Sequence, residues 1–145
     1  MKPEKPQIKV KTLINKPVDF VWNYWTKPEH IENWNYASED WHCTSAKNNL
    51  KTDGKFSWRM EAKDNSEGFD FSGIYTEIKE NELIKKRLDD GRHVMIKFKE
   101  IDDTNTKVIE TFEAEDQNPL ELQEQGWQAI LNNFKTYSEL QPLNK

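Results

Sequence analysis

Two hydrophobic periods divide this chain, one of three to four residues near its end and one of two residues through its middle. From Pro119 to Leu140, Trp127, Ile130, Leu131, Phe134 and Tyr137 fall on one stripe of a helix, which must lie on a large apolar surface. At ~1.5 Å per residue this helix spans ~33 Å, the width of a small domain. Gly126, directly before Trp127, is expected to let it approach its neighbour closely.

Between Trp41 and Ala114 the period is two. Phe56, Trp58 and Met60 alternate with Ser57, Arg59 and Glu61; Phe69, Phe71, Gly73 and Tyr75 with Asp70, Ser72, Ile74 and Thr76; Val94, Ile96 and Phe98 with Met95, Lys97 and Lys99. Turn residues punctuate the region at Asp53-Gly54, Asn65 to Gly68, Glu80 to Glu82, Asp90-Gly91 and Asp102 to Asn105. The pattern predicts an antiparallel meander of about six strands with one apolar and one wet face. Ahead of it, Gln7 to Ile14 reads as a first strand, with Ile8, Val10 and Thr12 against Lys9, Lys11 and Leu13 in imperfect phase. Pro17 suits the first turn of a short aromatic helix over Val18 to Trp25. Thr26-Lys27-Pro28-Glu29 has the spacing of a capping box for a second short helix ending near Trp34. The predicted class is α+β: one strand, two short helices, a meander, and a long helix that a curved sheet must wrap.

Composition adds a cavity to that expectation. The 145 residues suit a single domain with an ordered core over about 7–140, and only 34% are hydrophobic, yet they include six Trp, seven Phe and four Tyr. Few but large side chains can build a core around a space. A formal charge of −5 and scattered basic residues argue against nucleic acid as a partner. The first residues carry no apolar signal region and no apolar run approaches the ~18 residues of a membrane span, so the expected location is cytoplasmic. A single cysteine, Cys43, allows no internal disulfide.

Candidate chemistry is sparse. Glu110 stands between Val108 and Phe112 on the apolar face of Lys107 to Ala114, so its carboxylate borders the cavity. Burial raises the pKa of such a group unless a cation or donor stands by, and it can orient a ligand hydroxyl or act as a base. Arg59 and Glu61 belong to the outer face, where cross-strand pairing is expected; Arg92, beside Gly91, reads as a surface residue, and His93 as a residue of the rim. Adjacent His42 and Cys43 point to opposite faces of a strand, so neither a metal site nor a Cys-His nucleophile is expected of them. The glycines form no nucleotide-binding fingerprint, and no cofactor is expected.

The order of Pro17-Val18-Asp19-Phe20-Val21-Trp22, Pro28-Glu29-His30-Ile31-Glu32-Asn33-Trp34, Gly54-Lys55-Phe56, Gly73-Ile74-Tyr75 and Gly126-Trp127-Gln128-Ala129-Ile130-Leu131 resembles the START-like, birch-pollen-allergen-like superfamily. Within it, the chain is most similar to homologues of the activator of a heat-shock chaperone's ATPase. The resemblance spans roughly Ile8 to Leu140 and implies a helix-grip fold: a curved antiparallel sheet of about seven strands around a C-terminal helix, with a cavity between them. In the eukaryotic activators a separate N-terminal domain precedes this one and is absent from the present sequence. The superfamily implies a small hydrophobic molecule as partner, a lipid, phenolic or polyketide-like compound, and the branch implies a chaperone as the alternative.

The expected ligand-binding residues are Trp58, Met60, Phe71, Tyr75 and Ile96 of the meander, Glu110 and Phe112 of its last strand, and Trp127, Ile130, Leu131 and Phe134 of the helix. A non-enzymatic binder is the favoured reading. A cyclase or hydrolase using Glu110 or His93 is the other alternative, weakened by the lack of a nucleophile, base and oxyanion set.

Overall fold

All the period-two segments pair antiparallel into one sheet. The computed structural model describes residues 6–142: β1 (Gln7–Ile14), α1 (Val18–Thr26), α2 (Pro28–Trp34), β2 (Trp41–Asn48), β3 (Lys55–Ala62), β4 (Gly68–Lys79), β5 (Leu83–Leu88), β6 (His93–Asp102), β7 (Asn105–Glu113) and α3 (Leu120–Glu139). The strand order is β1-β7-β6-β5-β4-β3-β2, so the meander runs in sequence order and β1 closes its far edge against β7. Register shifts between Cys43 and Ser45, Tyr75 and Glu77, and Glu100 and Asp102 add the local bends that help such a sheet to curl.

α3 and α2 sit towards the two edges, while α1 packs over β6, where Trp22 and Trp25 meet Phe98 with ring centroids 5.1 and 5.9 Å apart. On the β1 side, Lys135 Nζ donates to Leu13 O at 2.6 Å, Gln128 Nε2 to Lys11 O at 3.1 Å, and Asn15 N to Glu139 Oε2 at 2.8 Å, which ties α3 along that strand. On the β2 side, Ala46 N donates to Glu32 Oε2 at 3.2 Å, and Asn133 Nδ2 to Tyr36 O at 2.5 Å joins α3 to the segment after α2. The middle strands are left to floor the space between. Its back wall is aromatic: Trp25, Trp34 and Phe134 meet one another with ring centroids 4.8–5.0 Å apart, and Trp34 Nε1 donates to Tyr24 O at 3.0 Å.

Several local expectations change. β1 keeps one phase throughout, with Ile8, Val10 and Ile14 buried and Leu13 49% exposed. The capping box does not form: Thr26 Oγ1 donates back to Trp22 O at 2.8 Å, and α2 starts instead from Pro28 with no side-chain cap. Its geometry is that of a helix entered through proline, which leaves one fewer N–H to satisfy. Gly126 faces open space, so it permits no close approach. That role belongs to Gly73, where an added Cβ would lie 2.2 Å from Arg87 O on β5. Gly73→Ala is expected to destabilise the protein by at least ~1–3 kcal/mol, because the obstacle is backbone and cannot swing aside; a urea titration with an unchanged midpoint would show that the two strands separate freely there.

Candidate functional site

An apolar cavity of about 410 Å³ opens between the sheet, α3 and the α1–α2 pair. Strand β3 sends Trp58 and Met60 into it, β4 Phe69 and Phe71, and α3 Trp127 and Ile130, while Trp25, Trp34 and Trp41 close the remaining sides. Phe69 is half exposed and tilts against Trp41 with ring centroids 5.7 Å apart. Trp127 is only partly buried and stacks on Phe112 at 3.8 Å and 11°. These rings are a soft apolar lining rather than a filled core.

Of the residues expected in the site, Trp58, Met60, Phe71, Glu110, Trp127 and Ile130 line this cavity. Tyr75, Ile96, Phe112, Leu131 and Phe134 share the inward phase but are buried in the core around it. Tyr75 Oη donates to Asn48 Oδ1 at 2.8 Å, and the same oxygen accepts from Trp58 Nε1 at 2.9 Å, so Asn48 fixes both rings from the side. Arg92 is a correction. Its guanidinium reaches the cavity, with its Nε 2.8 Å from Asp90 Oδ2 and its side chain only 14% exposed.

Two charged side chains stand in this apolar setting. Glu110 on β7 is 6% exposed, as its place between buried Val108 and Phe112 predicts. Lys86 on β5 is 2% exposed, between buried Ile84 and Leu88. Its Nζ lies 4.4 Å from the ring centroid of Trp58, 4.7 Å from Phe56 and 5.2 Å from Phe71. Such a cage stabilises an ammonium by its π-faces alone. Strand order puts β6 between the two residues, and Lys86 leans towards β3 and β4, away from β7. They do not come within the 4.0 Å of a direct ion pair. Burial raises the Glu110 carboxyl to about 7, against the pull of Lys86. Burial lowers the Lys86 amine to about 8, against the pull of Glu110. Desolvation exceeds mutual attraction for both groups.

The sequence reading missed Trp25, Trp34, Trp41, Phe69 and Gln123 of the lining and, among its charged groups, Lys86. The signal for Lys86 was the one that gave Glu110: in Leu83-Ile84-Lys85-Lys86-Arg87-Leu88, the positions 84, 86 and 88 share a face.

The cavity's polar end is built rather than incidental. Gln123, 7% exposed on α3, accepts from Glu115 N at 2.9 Å and donates to Glu115 O at 3.0 Å and Asn118 O at 2.8 Å. One side chain thereby holds the β7–α3 connection over the cavity. Cys43 is buried outside this lining, and burial, with Glu32 adding to it, pushes its thiol up to about 11, so it is no nucleophile. His93 is exposed, its backbone N–H bonded to Glu113 Oε1 at 2.6 Å. Arg59 pairs on the outer face across strands with Asp70 at 3.5 Å, as expected of it, and along its own strand with Glu61 at 3.0 Å. Among the described residues no group of three or more His, Cys, Asp and Glu is placed to hold a metal, and no helix is long and apolar enough to cross a membrane.

A curled seven-strand sheet packed on one long terminal helix, with an apolar cavity between them, defines a helix-grip domain. The family model described as "Activator of Hsp90 ATPase homolog 1-like protein" matches residues 15–139, and the chain belongs to that family, an AHSA1-like domain of the SRPBCC superfamily. It is similar to the AHSA1-like protein of Aeromonas hydrophila, with 40% identity, 92% of each chain covered and a TM-score of 0.86. A protein of Cytophaga hutchinsonii shows 45% identity over 93% of this chain and 92% of its own, with a TM-score of 0.77. A third, from Chromobacterium violaceum, shares the fold at 19% identity, 94% and 99% coverage and a TM-score of 0.83. Comparison with curated proteins gives no match.

Proposed function

We propose that this domain binds a small hydrophobic or aromatic molecule in the cavity between its sheet and α3. The observation that supports the reading is the cavity itself: about 410 Å³, walled by Trp25, Trp34, Trp58, Phe71 and Trp127, in the size range of ligand pockets. A protein interior is otherwise packed to crystal density, and leaving this much apolar surface uncovered costs stability that a ligand would restore. The partly buried Trp127, held by its stack on Phe112, supplies a flat wall suited to an aromatic partner.

The test is a screen of phenolics, fatty acids and polyketide-like compounds by tryptophan emission and amide chemical shifts. Ligand entry is expected to quench emission, to shift resonances of Trp58, Phe71 and Trp127, and to give a negative heat-capacity change. The competing reading is a chaperone-interacting module, suggested by the name of the family. It predicts no small-molecule effect and shifts confined to outer-face residues such as Ser57, Arg59 and Lys97 when a chaperone is added; that result would displace the cavity reading.

A further inference from the structure

Resting on that cavity reading, we propose that Lys86 is a reactive amine that captures the aldehyde or ketone group of a hydrophobic ligand as an imine, with Glu110 as the proton carrier. The geometry carries the inference. A primary amine 2% exposed is held on the inner face of β5 by rings of β3 and β4, and it lines the cavity without a hydrogen-bond partner among the described residues. A lysine placed only for stability is expected to reach a carboxylate or carbonyl oxygen. Here the nearest groups are π-faces, and the free direction is towards the ligand space. Glu110 lines the same cavity from β7, again without a hydrogen-bond partner among the described residues, so a carbonyl between the two strands has the amine on one side and a carboxyl on the other. The apolar walls lower the proton affinity of the amine and raise that of the carboxyl, so transfer of a proton from one to the other costs little.

The step balances without any further reagent. The Lys86 ammonium gives a proton to the Glu110 carboxylate through an intervening water, which accepts one proton as it passes another on, because the two heads stand more than 4.0 Å apart. The freed lone pair attacks the carbonyl carbon, forming C–N while the C=O π pair moves to oxygen. A proton passes from nitrogen to that oxygen, giving a neutral carbinolamine. Glu110 returns its proton to the hydroxyl, which leaves as water, and the nitrogen lone pair closes an iminium opposite the carboxylate. Ammonium and carbonyl compound become iminium and water. Expulsion of water from an apolar pocket then protects the product from hydrolysis.

The experiment incubates the protein with 2-naphthaldehyde and sodium cyanoborohydride, which fixes an imine as a stable secondary amine, and reads whole-protein mass and a peptide map. In parallel, 2-methylnaphthalene, of similar shape but lacking the carbonyl, is titrated by tryptophan quenching. The expected result is one naphthylmethyl group per chain, located on Lys86. Lys86→Met, which keeps length and apolarity, should lose that label while still binding 2-methylnaphthalene. Glu110→Gln should retain the label site but acquire it at least ~10-fold more slowly. Quenching by both compounds with label spread over surface lysines, or unchanged in Lys86→Met, would overturn the imine and leave the cavity reading standing. Absence of quenching by either compound would remove both.

Discussion

Trp34→Ala is expected to cost ~3–5 kcal/mol, a large part of the ~5–15 kcal/mol that holds a domain of this kind together. The indole is 1% exposed and packs edge-on against Trp58 and Phe134 and tilted against Trp25. Removing it also leaves Tyr24 O without the donor it has at 3.0 Å. Trp127→Ala is the matched control, because that ring is only partly buried and borders open space. Its loss should be clearly smaller, with ligand binding affected more than stability. Urea unfolding of both variants, followed by circular dichroism, decides the matter; equal losses would mean that Trp127 is core and that the cavity closes around it.

The second large effect is a dip in stability near neutral pH that disappears when Lys86 and Glu110 are replaced together. The carboxyl of Glu110 is raised by burial to about 7, so its contribution is present below the ordinary carboxylate value and lost as pH rises through 7. The amine of Lys86 is lowered by burial to about 8, so its contribution is present above the ordinary lysine value and lost as pH falls through 8. The two losses overlap between those values. Lys86→Met with Glu110→Gln should therefore stabilise the fold by ~1–4 kcal/mol at pH 7 to 8 and should still stabilise it below pH 4, where Glu110 is neutral in both states but the buried Lys86 charge remains. Glu110→Gln alone removes the one group that supports the Lys86 charge, so its benefit is smaller than the carboxyl's own shift suggests. Thermal midpoints of the three proteins from pH 4 to 10 test this; parallel curves would mean that both heads are solvated.

Much of this arrangement could be read from residue spacing, and the failures have physical causes. Strand phases put Trp58, Met60, Phe71 and Glu110 on the inner face because a period of two leaves no other choice once one face is wet. Phase does not tell lining from core. Tyr75, Ile96 and Phe112 carry the same signal as Trp58, and only tertiary neighbours separate them: Tyr75 is closed in by Phe56 and its bond to Asn48, and Phe112 by the stacked Trp127 of α3. Lys86 was obscured by its neighbours, since Lys85, Lys86 and Arg87 look like one solvated run unless the alternation is applied to charges as strictly as to apolar residues. The capping box was a local rule defeated by a competing local bond, the return of Thr26 Oγ1 to Trp22 O.

The pairing of β1 with β7 has a consequence for how the molecule assembles. Gln7 lies opposite Glu113, and α3 is fastened to β1 by bonds that span 117 to 124 residues of chain. Each neighbouring pair from β2 to β7 forms across a short turn, but the first strand must wait until the whole meander exists, and closing so long a loop costs entropy before any contact repays it. The sheet should thus grow hairpin by hairpin, and its two chain-distant partners should dock last. In that order the cavity stands open along one edge throughout folding, and a hydrophobic molecule can be enclosed as the structure closes rather than admitted afterwards.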